Sequence, residues 1–333
     1  MHALQAAVDS LARESGFSGV VQVERGEEVE LGSAYGLADR GHGIPNSIGT
    51  QFAIASGAKG FTALTVVSLI EDGVLSLQTT ARSVLGRDLP LIRDDVTLEH
   101  LLAHRSGIGD YLDEQVEHDL SEYLMPVPVH ELATSEDYLA VLDGHETKFE
   151  PGERFAYCNG GYVVLALIAE RTSGVAFHEL VRQRVCEQAG MGDTTFLRSD
   201  ELPGRAALGY VEVDGVLRTN VFHLPVRGSG DGGIYSTVGD IGAFWRALFG
   251  GRIVSSSWVA ELVRPRSHLP EASARYGLGF RLDEAGDGVE LEGSDAGVSF
   301  RSVHDHGREL TYTVISNTSD GAWPIAELLA ARS

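Results

Sequence analysis

The chain has 333 residues, 43% of them apolar, with 40 glycines and 10 prolines, an ordinary globular composition long enough for one large core or two smaller ones. Its formal net charge of −22 repels nucleic acid and anionic lipid, so neither a nucleic-acid nor a membrane partner is expected. Two cysteines, Cys158 and Cys186, are too few for a secreted disulfide scaffold and read as reduced thiols.

The N-terminal MHALQAAVDSLARESG lacks a basic n-region, a continuous apolar core and a small-residue cleavage site. It reads as an amphipathic helix with Leu4, Val8 and Leu11 on one face, not as a signal peptide. No run approaches the roughly 20 apolar residues of a membrane span, so the chain reads as soluble and cytoplasmic. GVVQVERGEEVELGSAYGLAD follows, two β-rich runs around a polar Arg-Gly-Glu-Glu turn, which predicts a hairpin. IPNSIGTQFAIAS is loop-like and leads to Ser56. GFTALTVVSLIEDGVL, apolar at Phe61, Leu64, Val67, Leu69 and Ile70 and closed near Gly73, predicts a long buried helix with Ser56 at its N-terminal end. From about 80 to 200 the segments are mostly helical and polar, several closed by glycine. One more helix, TVGDIGAFWRALFGG, follows GDGGIYS. The C-terminal part predicts about three strands with a last helix, PIAELLAARS, behind them.

Strands at both ends with helices between them predict an α+β fold, with one antiparallel sheet built from both chain termini, flanked by helices, and an inserted, mostly helical domain. The expected division is 1–55 with 205–333 for the sheet domain and 56–204 for the helical domain.

The chemistry concentrates at ASGAKGFTAL, residues 55–64. The chain has only two lysines, Lys59 and Lys148, and uses arginine almost everywhere else. On a helix Ser56 and Lys59 share a face, one turn apart. A serine hydroxyl needs a base, and a lysine amine can serve when burial or a neighbouring cation lowers its pKa, whereas an arginine cannot shed its proton near neutral pH. The helix N-terminus adds a positive dipole and free N–H groups that favour an oxyanion at Ser56. The bland alternative is a serine near an N-cap beside a surface lysine. The strongly apolar helix after Lys59 is a poor setting for a solvated cation.

A second segment, PGERFAYCNGGYVVLALIAERTSG (151–174), carries Tyr157-Cys158-Asn159 just ahead of an apolar helix. With LLAHRSGI (101–108), GMGDTTF (190–196) and GGIYSTVGDI (232–241), it resembles the serine β-lactamase-like family, which includes class C β-lactamases, D-aminopeptidases, DD-peptidases and related carboxylesterases. The resemblance runs from residue 17 to about 330, with the motifs in family order. It implies the same α+β, β-lactamase/transpeptidase-like fold, with the site between sheet and helical domain. It implies Ser56 as the acylated nucleophile. Lys59 and Tyr157 share the proton work, with Tyr157 as a phenolate held by Lys59 and the base for each step left open. Asn159 orients Lys59 and substrate.

The family's third motif, a Lys-Thr-Gly or His-x-Gly triplet on a strand beside the nucleophile, matches Leu291-Glu292-Gly293, counted back from Gly297 in VELEGSDAGVSFRS. Leu291 then stands where a lysine or histidine would bind a substrate carboxylate, and esterase members tolerate an apolar residue there. The resemblance implies an oxyanion hole from the backbone N–H groups of Ser56 and Ser294, the kind of donor set that is often the largest catalytic term.

Other candidates carry less. His304-Asp305-His306 alternates on a strand with no third ligand nearby, so no metal site is expected. RGSGDGGIYS lacks a G-K-[ST] ending and reads as a turn; the absence of G-x-S-x-G leaves an α/β-hydrolase elbow unsupported. His104 reads as a structural histidine at a helix end. Cys158 reads as packing, pointing away from Tyr157 and Asn159. Asp110 and Tyr111 are candidates to line the cleft. The expected activity is that of a serine hydrolase, a carboxylesterase on small acyl substrates, without cofactor. The alternatives are a β-lactamase, D-aminopeptidase or DD-peptidase that finds its anchor in an arginine such as Arg227 or Arg301, an acyltransferase, or a non-catalytic binding protein.

Overall fold

The structure is a computed structural model, and it describes residues 2–114, 123–269, 274–284 and 286–332. Helix α1 (His2–Ser15) leads into a hairpin of β1 (Gly19–Arg25) and β2 (Glu28–Tyr35), turned at Arg25–Glu28 with Gly26 at φ +58°. The short strand β3 (Phe52–Ala53) precedes α2 (Ala58–Glu71), and α3 spans Asn159–Ser173. Strand β4 (Tyr235–Ser236) leads into α4 (Val238–Phe249). Six strands follow: β5 (Ser267–Leu269), β6 (Ala274–Tyr276), β7 (Arg281–Asp283), β8 (Gly288–Asp295), β9 (Val298–Asp305) and β10 (Leu310–Ser316). Helix α5 (Ala322–Ala330) closes the chain.

One eight-stranded antiparallel sheet runs β2-β1-β10-β9-β8-β7-β6-β5, so both chain ends meet in it, as the sequence predicts. The C-terminal part holds six strands of this sheet where the sequence predicts about three. β5, β6 and β7 have three residues each, too short for an alternating pattern to stand out. Among the described residues no strand between β2 and β5 joins it; that stretch supplies α2, α3, α4 and shorter helices.

The sheet is covered on both faces, which is why β1 is buried almost throughout. Adjacent residues point to opposite faces. Val20 and Ile315 join Leu291, Phe300 and the α2, α3 and α4 side chains in the larger core. Val21, Val23 and Val314 face the other way, onto Val8 and Ala12 of α1 and Ile325, Ala326 and Leu329 of α5. Helix α2 is the hub. All its residues from Ala58 to Leu69 are buried, and burying a Phe, Leu or Val side chain contributes about 1.5–3 kcal/mol. This is the long buried helix expected from the sequence.

The N-terminus of α2 lies directly against β8, and glycines permit it. A Cβ on Gly60 would sit 2.6 Å from the Leu291 side chain, and one on Gly293 would sit 2.3 Å from the Ile54 carbonyl oxygen. The loop-like stretch before Ser56 is pinned by a feature the sequence does not advertise: β3 pairs with β4, Phe52 opposite Ser236 and Ala53 opposite Tyr235. Among the described residues no helix is long and apolar enough to cross a membrane.

Candidate functional site

Ser56 sits in a 3-10 turn, Ala55–Gly57, that runs straight into α2. Ala55 holds φ at +43°, a region an L-residue adopts at a cost of about 1–3 kcal/mol. The kink lies directly before the serine. One turn on, the Lys59 side chain is buried to 2% exposure, and its Nζ reaches three acceptors: Ser56 Oγ at 2.9 Å, Asn159 Oδ1 at 2.8 Å and the Asp231 carbonyl at 2.9 Å. Two of the three can only accept. When the amine is neutral its two N–H groups go to Asn159 and Asp231, and its lone pair is left for the Ser56 hydroxyl.

Asn159 opens α3. Its Nδ2 donates to the Leu112 carbonyl at 3.2 Å and Glu114 Oε1 at 3.1 Å, which fixes its Oδ1 toward Lys59. The α3 N-terminus is anchored by Asp110, which accepts from Asn159 N at 2.6 Å and Gly160 N at 2.8 Å. Asp110 is therefore a buried helix anchor and not part of the cleft wall, whereas Tyr111 does line the cleft. Cys158 is the N-cap residue of α3: its Sγ accepts from Gly161 N, and burial pushes its thiol well above the ordinary value.

Tyr157 lies with its ring 4.8 Å from Lys59 Nζ, a cation–π distance, and its hydroxyl shares a hydrogen bond with Ser56. Burial, and then the Glu114 carboxylate, push the phenol well above its ordinary range. Both favour the protonated phenol over the phenolate that the resemblance implies. His104 packs against the Tyr157 ring, centroids 4.3 Å apart, with Phe155, Tyr162 and Tyr276 around it. Its Nδ1 accepts from Cys158 N, and burial followed by Lys59 holds it well below its ordinary value: a neutral, structural histidine.

Along β8, Leu291 and Gly293 face α2, while Glu290 and Glu292 face the other way and pair with Arg301 and Arg281. Leu291 is 2% exposed and packed on Gly60. Strand β7 pairs only with Val289 and Glu290, so the backbone of β8 from Leu291 to Ser294 is unpaired on that side beside Ser56. A Cβ at Gly293 would lie 2.8 Å from Ser56 N, which measures how closely strand and turn approach.

Two cavities meet at Ser56, sharing Glu114 and Ser294 as walls. One, about 390 Å³, is lined by Tyr111, Met125, Leu224, Pro225, Asp231 and Asp295 among others. The other, about 290 Å³, is lined by Lys59, Phe155, Tyr157, Tyr276, Arg281 and Leu291 among others. Neither Arg227 nor Arg301 lines them: Arg227 donates to the Phe196 carbonyl, and Arg301 is bound to Glu290. His304 bonds Thr311 and stacks on Trp245, and His306 stacks on Phe249, so both act in packing.

Sequence reasoning missed Glu114, Asp231 and Asp295. Asp231 lies in the RGSGDGGIYS stretch read as a turn. An unpaired acid between glycines is a faint signal, and only the fold puts its carbonyl against Lys59.

Comparison with known proteins agrees with this architecture. The sequence profile of the family described as Beta-lactamase matches residues 4–331. Penicillin-binding protein 4* of Bacillus subtilis (strain 168) is 28% identical over 329 residues, covering 93% of this chain and 70% of its own length. Esterase EstB of Burkholderia gladioli is 29% identical over 330 residues, covering 90% of this chain and 79% of its own. Several other curated relatives are longer, and the chain spans less than two thirds of them. The crystal structure of a penicillin binding protein from Bacillus halodurans superposes with a TM-score of 0.92 at 34% identity, covering 98% of this chain and all of that one. The chain belongs to the Beta-lactamase family and is a serine hydrolase.

Proposed function

We propose that the chain hydrolyses small carboxylic esters through an acyl-enzyme on Ser56. The observation that carries this reading is Leu291: a buried, apolar side chain occupies the place matched to the residue that would hold a substrate carboxylate, and the one arginine lining the two cavities among the described residues, Arg281, is paired with Glu292. Penicillins and peptide C-termini carry that carboxylate; simple esters do not. The kinship with an esterase is in keeping with it.

In this reading Ser56 Oγ attacks the ester carbonyl carbon while its proton passes to the Lys59 amine. Negative charge gathers on the former carbonyl oxygen, facing the N–H groups of Ser56 and Ser294. The C–O bond to the leaving group breaks, and the leaving alkoxide takes a proton from Tyr157 or Lys59, both beside Ser56. Water then attacks the acyl carbon, its proton is taken up by the same base, and the carboxylic acid leaves with Ser56 restored.

A second reading, cleavage of amides that bear a free amine, is favoured by the carboxylates Glu114, Asp231 and Asp295 in the larger cavity. The experiment is turnover of p-nitrophenyl butyrate and nitrocefin by wild type and by Ser56→Ala. Ester turnover lost in the variant, with little nitrocefin hydrolysis, is the expected result. Undiminished ester turnover by Ser56→Ala would sink the acyl-enzyme, and strong nitrocefin turnover would sink the assignment of Leu291.

A further inference from the structure

Tyr157 lies in a stretch, residues 154–158, that belongs to no helix or strand, so its place beside Ser56 depends on what that stretch is tied to. One residue holds it on both sides. The His104 carbonyl accepts from Ala156 N at 2.9 Å, and the His104 Nδ1 accepts from Cys158 N at 3.1 Å. The residues before and after Tyr157 are thus bound to the same histidine. The His104 ring lies against the Tyr157 ring, centroids 4.3 Å apart and planes 31° from parallel. His104 follows the short helix Leu98–Leu102 with φ at +53°, a left-handed residue just past the helix end. The next residues run along the same neighbour, the Arg105 and Gly107 carbonyls accepting from Gly152 N and Lys148 N at 2.8 Å each.

Two features of this histidine are costly, and packing alone calls for neither. A left-handed residue after a helix is most cheaply a glycine. Because Nδ1 accepts, the ring proton sits on Nε2, and Nε2 is buried with no hydrogen-bond partner among the described residues. The residue is 1% exposed, with Phe155, Tyr162 and Tyr276 around it. What the imidazole offers in return is a flat face for Tyr157 and an acceptor for Cys158 N in one ring. A phenylalanine has the face without the acceptor, and an asparagine has the acceptor without the face. The acceptor exists only while the ring is neutral, and burial followed by the Lys59 charge keeps it so. His104 lines neither cavity at Ser56, so any part it plays in the reaction goes through Tyr157.

We infer that His104 is a positioning residue for the reaction: it clamps the chain on either side of Tyr157 and fixes the Tyr157 hydroxyl beside Ser56, where that hydroxyl hands its proton to the leaving alkoxide. This rests on the part given to Tyr157 in the ester-hydrolase reading above. His104 itself exchanges no proton and touches no substrate.

The test is a double-mutant cycle on kcat/KM for ethyl butyrate, whose alkoxide needs a proton to leave, with p-nitrophenyl butyrate, whose phenolate leaves without one, as the control. Tyr157→Phe is expected to lose about 100-fold on the ethyl ester. His104→Asn keeps the acceptor and loses the ring, and His104→Phe keeps the ring and loses the acceptor. Each is expected to lose about tenfold or more on the ethyl ester and less on the p-nitrophenyl ester, since a displacement of about 1 Å near the chemistry costs up to roughly 100-fold. In the Tyr157→Phe background the same substitutions are expected to cost less than about twofold, because the hydroxyl they misplace is gone. A merely structural histidine would repeat its full loss there. Unfolding midpoints check that each variant is folded, and either His104 variant completes a cycle without the other. Wild-type rates in both His104 variants, or a loss that repeats in full in the Tyr157→Phe background, overturn the inference alone. Wild-type rates in Tyr157→Phe remove the proton role of Tyr157 and the inference with it. Turnover of neither ester by the wild type overturns the ester reading, and the same cycle, read in the rate at which a fluorophosphonate labels Ser56, then decides the inference.

Discussion

Gly293→Ala tests the geometry at the point where it is tightest. The added methyl carbon would lie 2.3 Å from the Ile54 carbonyl oxygen, 2.8 Å from Ser56 N and 3.0 Å from Gly57 N. All three are backbone atoms, so no side chain can swing away. Relief requires β8 and the 55–57 turn to part by about 1 Å, to reach ordinary contact near 3.4 Å. Overpacking of this kind costs about 1–3 kcal/mol. The same shift moves Ser56 N relative to Ser294, and a displacement of about 1 Å near the chemistry costs roughly 100-fold in rate. The expected result is a fall of at least about 100-fold in kcat/KM for p-nitrophenyl butyrate, with a drop of a few degrees in the unfolding midpoint. The control is Gly204→Ala, where a Cβ meets nothing within 4 Å and φ is unexceptional, expected to match wild type in both measurements. Wild-type kinetics and midpoint in Gly293→Ala would refute the strand-on-turn packing.

Lys59→Arg and Lys59→Met should both slow labelling of Ser56 by a fluorophosphonate by about 100-fold or more, because a guanidinium keeps its proton and a thioether has none to exchange; rapid labelling of Lys59→Arg would remove lysine from the role of base. Asp295→Asn should stabilise the protein at pH 8 and by progressively less toward pH 4. The sign follows from an acid raised by folding to about 7 from about 3.9 in the unfolded chain: the ionised form is penalised above pH 7, and the penalty fades as pH falls toward the unfolded value. Three pH units correspond to about 4 kcal/mol as a ceiling, and the open side toward the cavity reduces the expected gain to about 1–2 kcal/mol. Denaturant unfolding at both pH values reads it, and an equal gain at pH 4 and pH 8 would contradict the mechanism.

What the sequence makes legible here follows the range of the interactions. The hairpin at Gly26, the buried α2 and the pairing of Ser56 with Lys59 are all local, set by alternation, by the helical repeat or by a three-residue spacing. The sheet built from both termini is long-range but readable, because β1, β8, β9 and β10 are seven or eight residues long. Strands of two or three residues are not, since at that length pairing, and not side-chain pattern, decides the conformation. So β3 and β4, which pin the entry to Ser56, stayed invisible.

The site divides along the same line, and the division explains the proton assignments. Tyr157 is recognisable by its neighbours Cys158 and Asn159, but whether it rests as phenol or phenolate depends on what surrounds it. Burial pushes it toward phenol first, and Glu114, Asp231 and Glu292 push the same way, against the hydrogen bond with Ser56. Those three acids come from three separate segments of the chain. The same acids make the cleft inhospitable to a substrate carboxylate, a conclusion the sequence reaches by a different route, through the missing cation at Leu291. A cation absent from the motif and three acids from separate segments, Glu292 among them on β8, thus bias the cleft in one direction. That is why comparison of neutral and anionic esters is a sharper probe of this site than activity alone: a cleft that merely lacks a carboxylate anchor is indifferent to charge, whereas a cleft walled by Glu114, Asp231 and Asp295 disfavours the anionic ester.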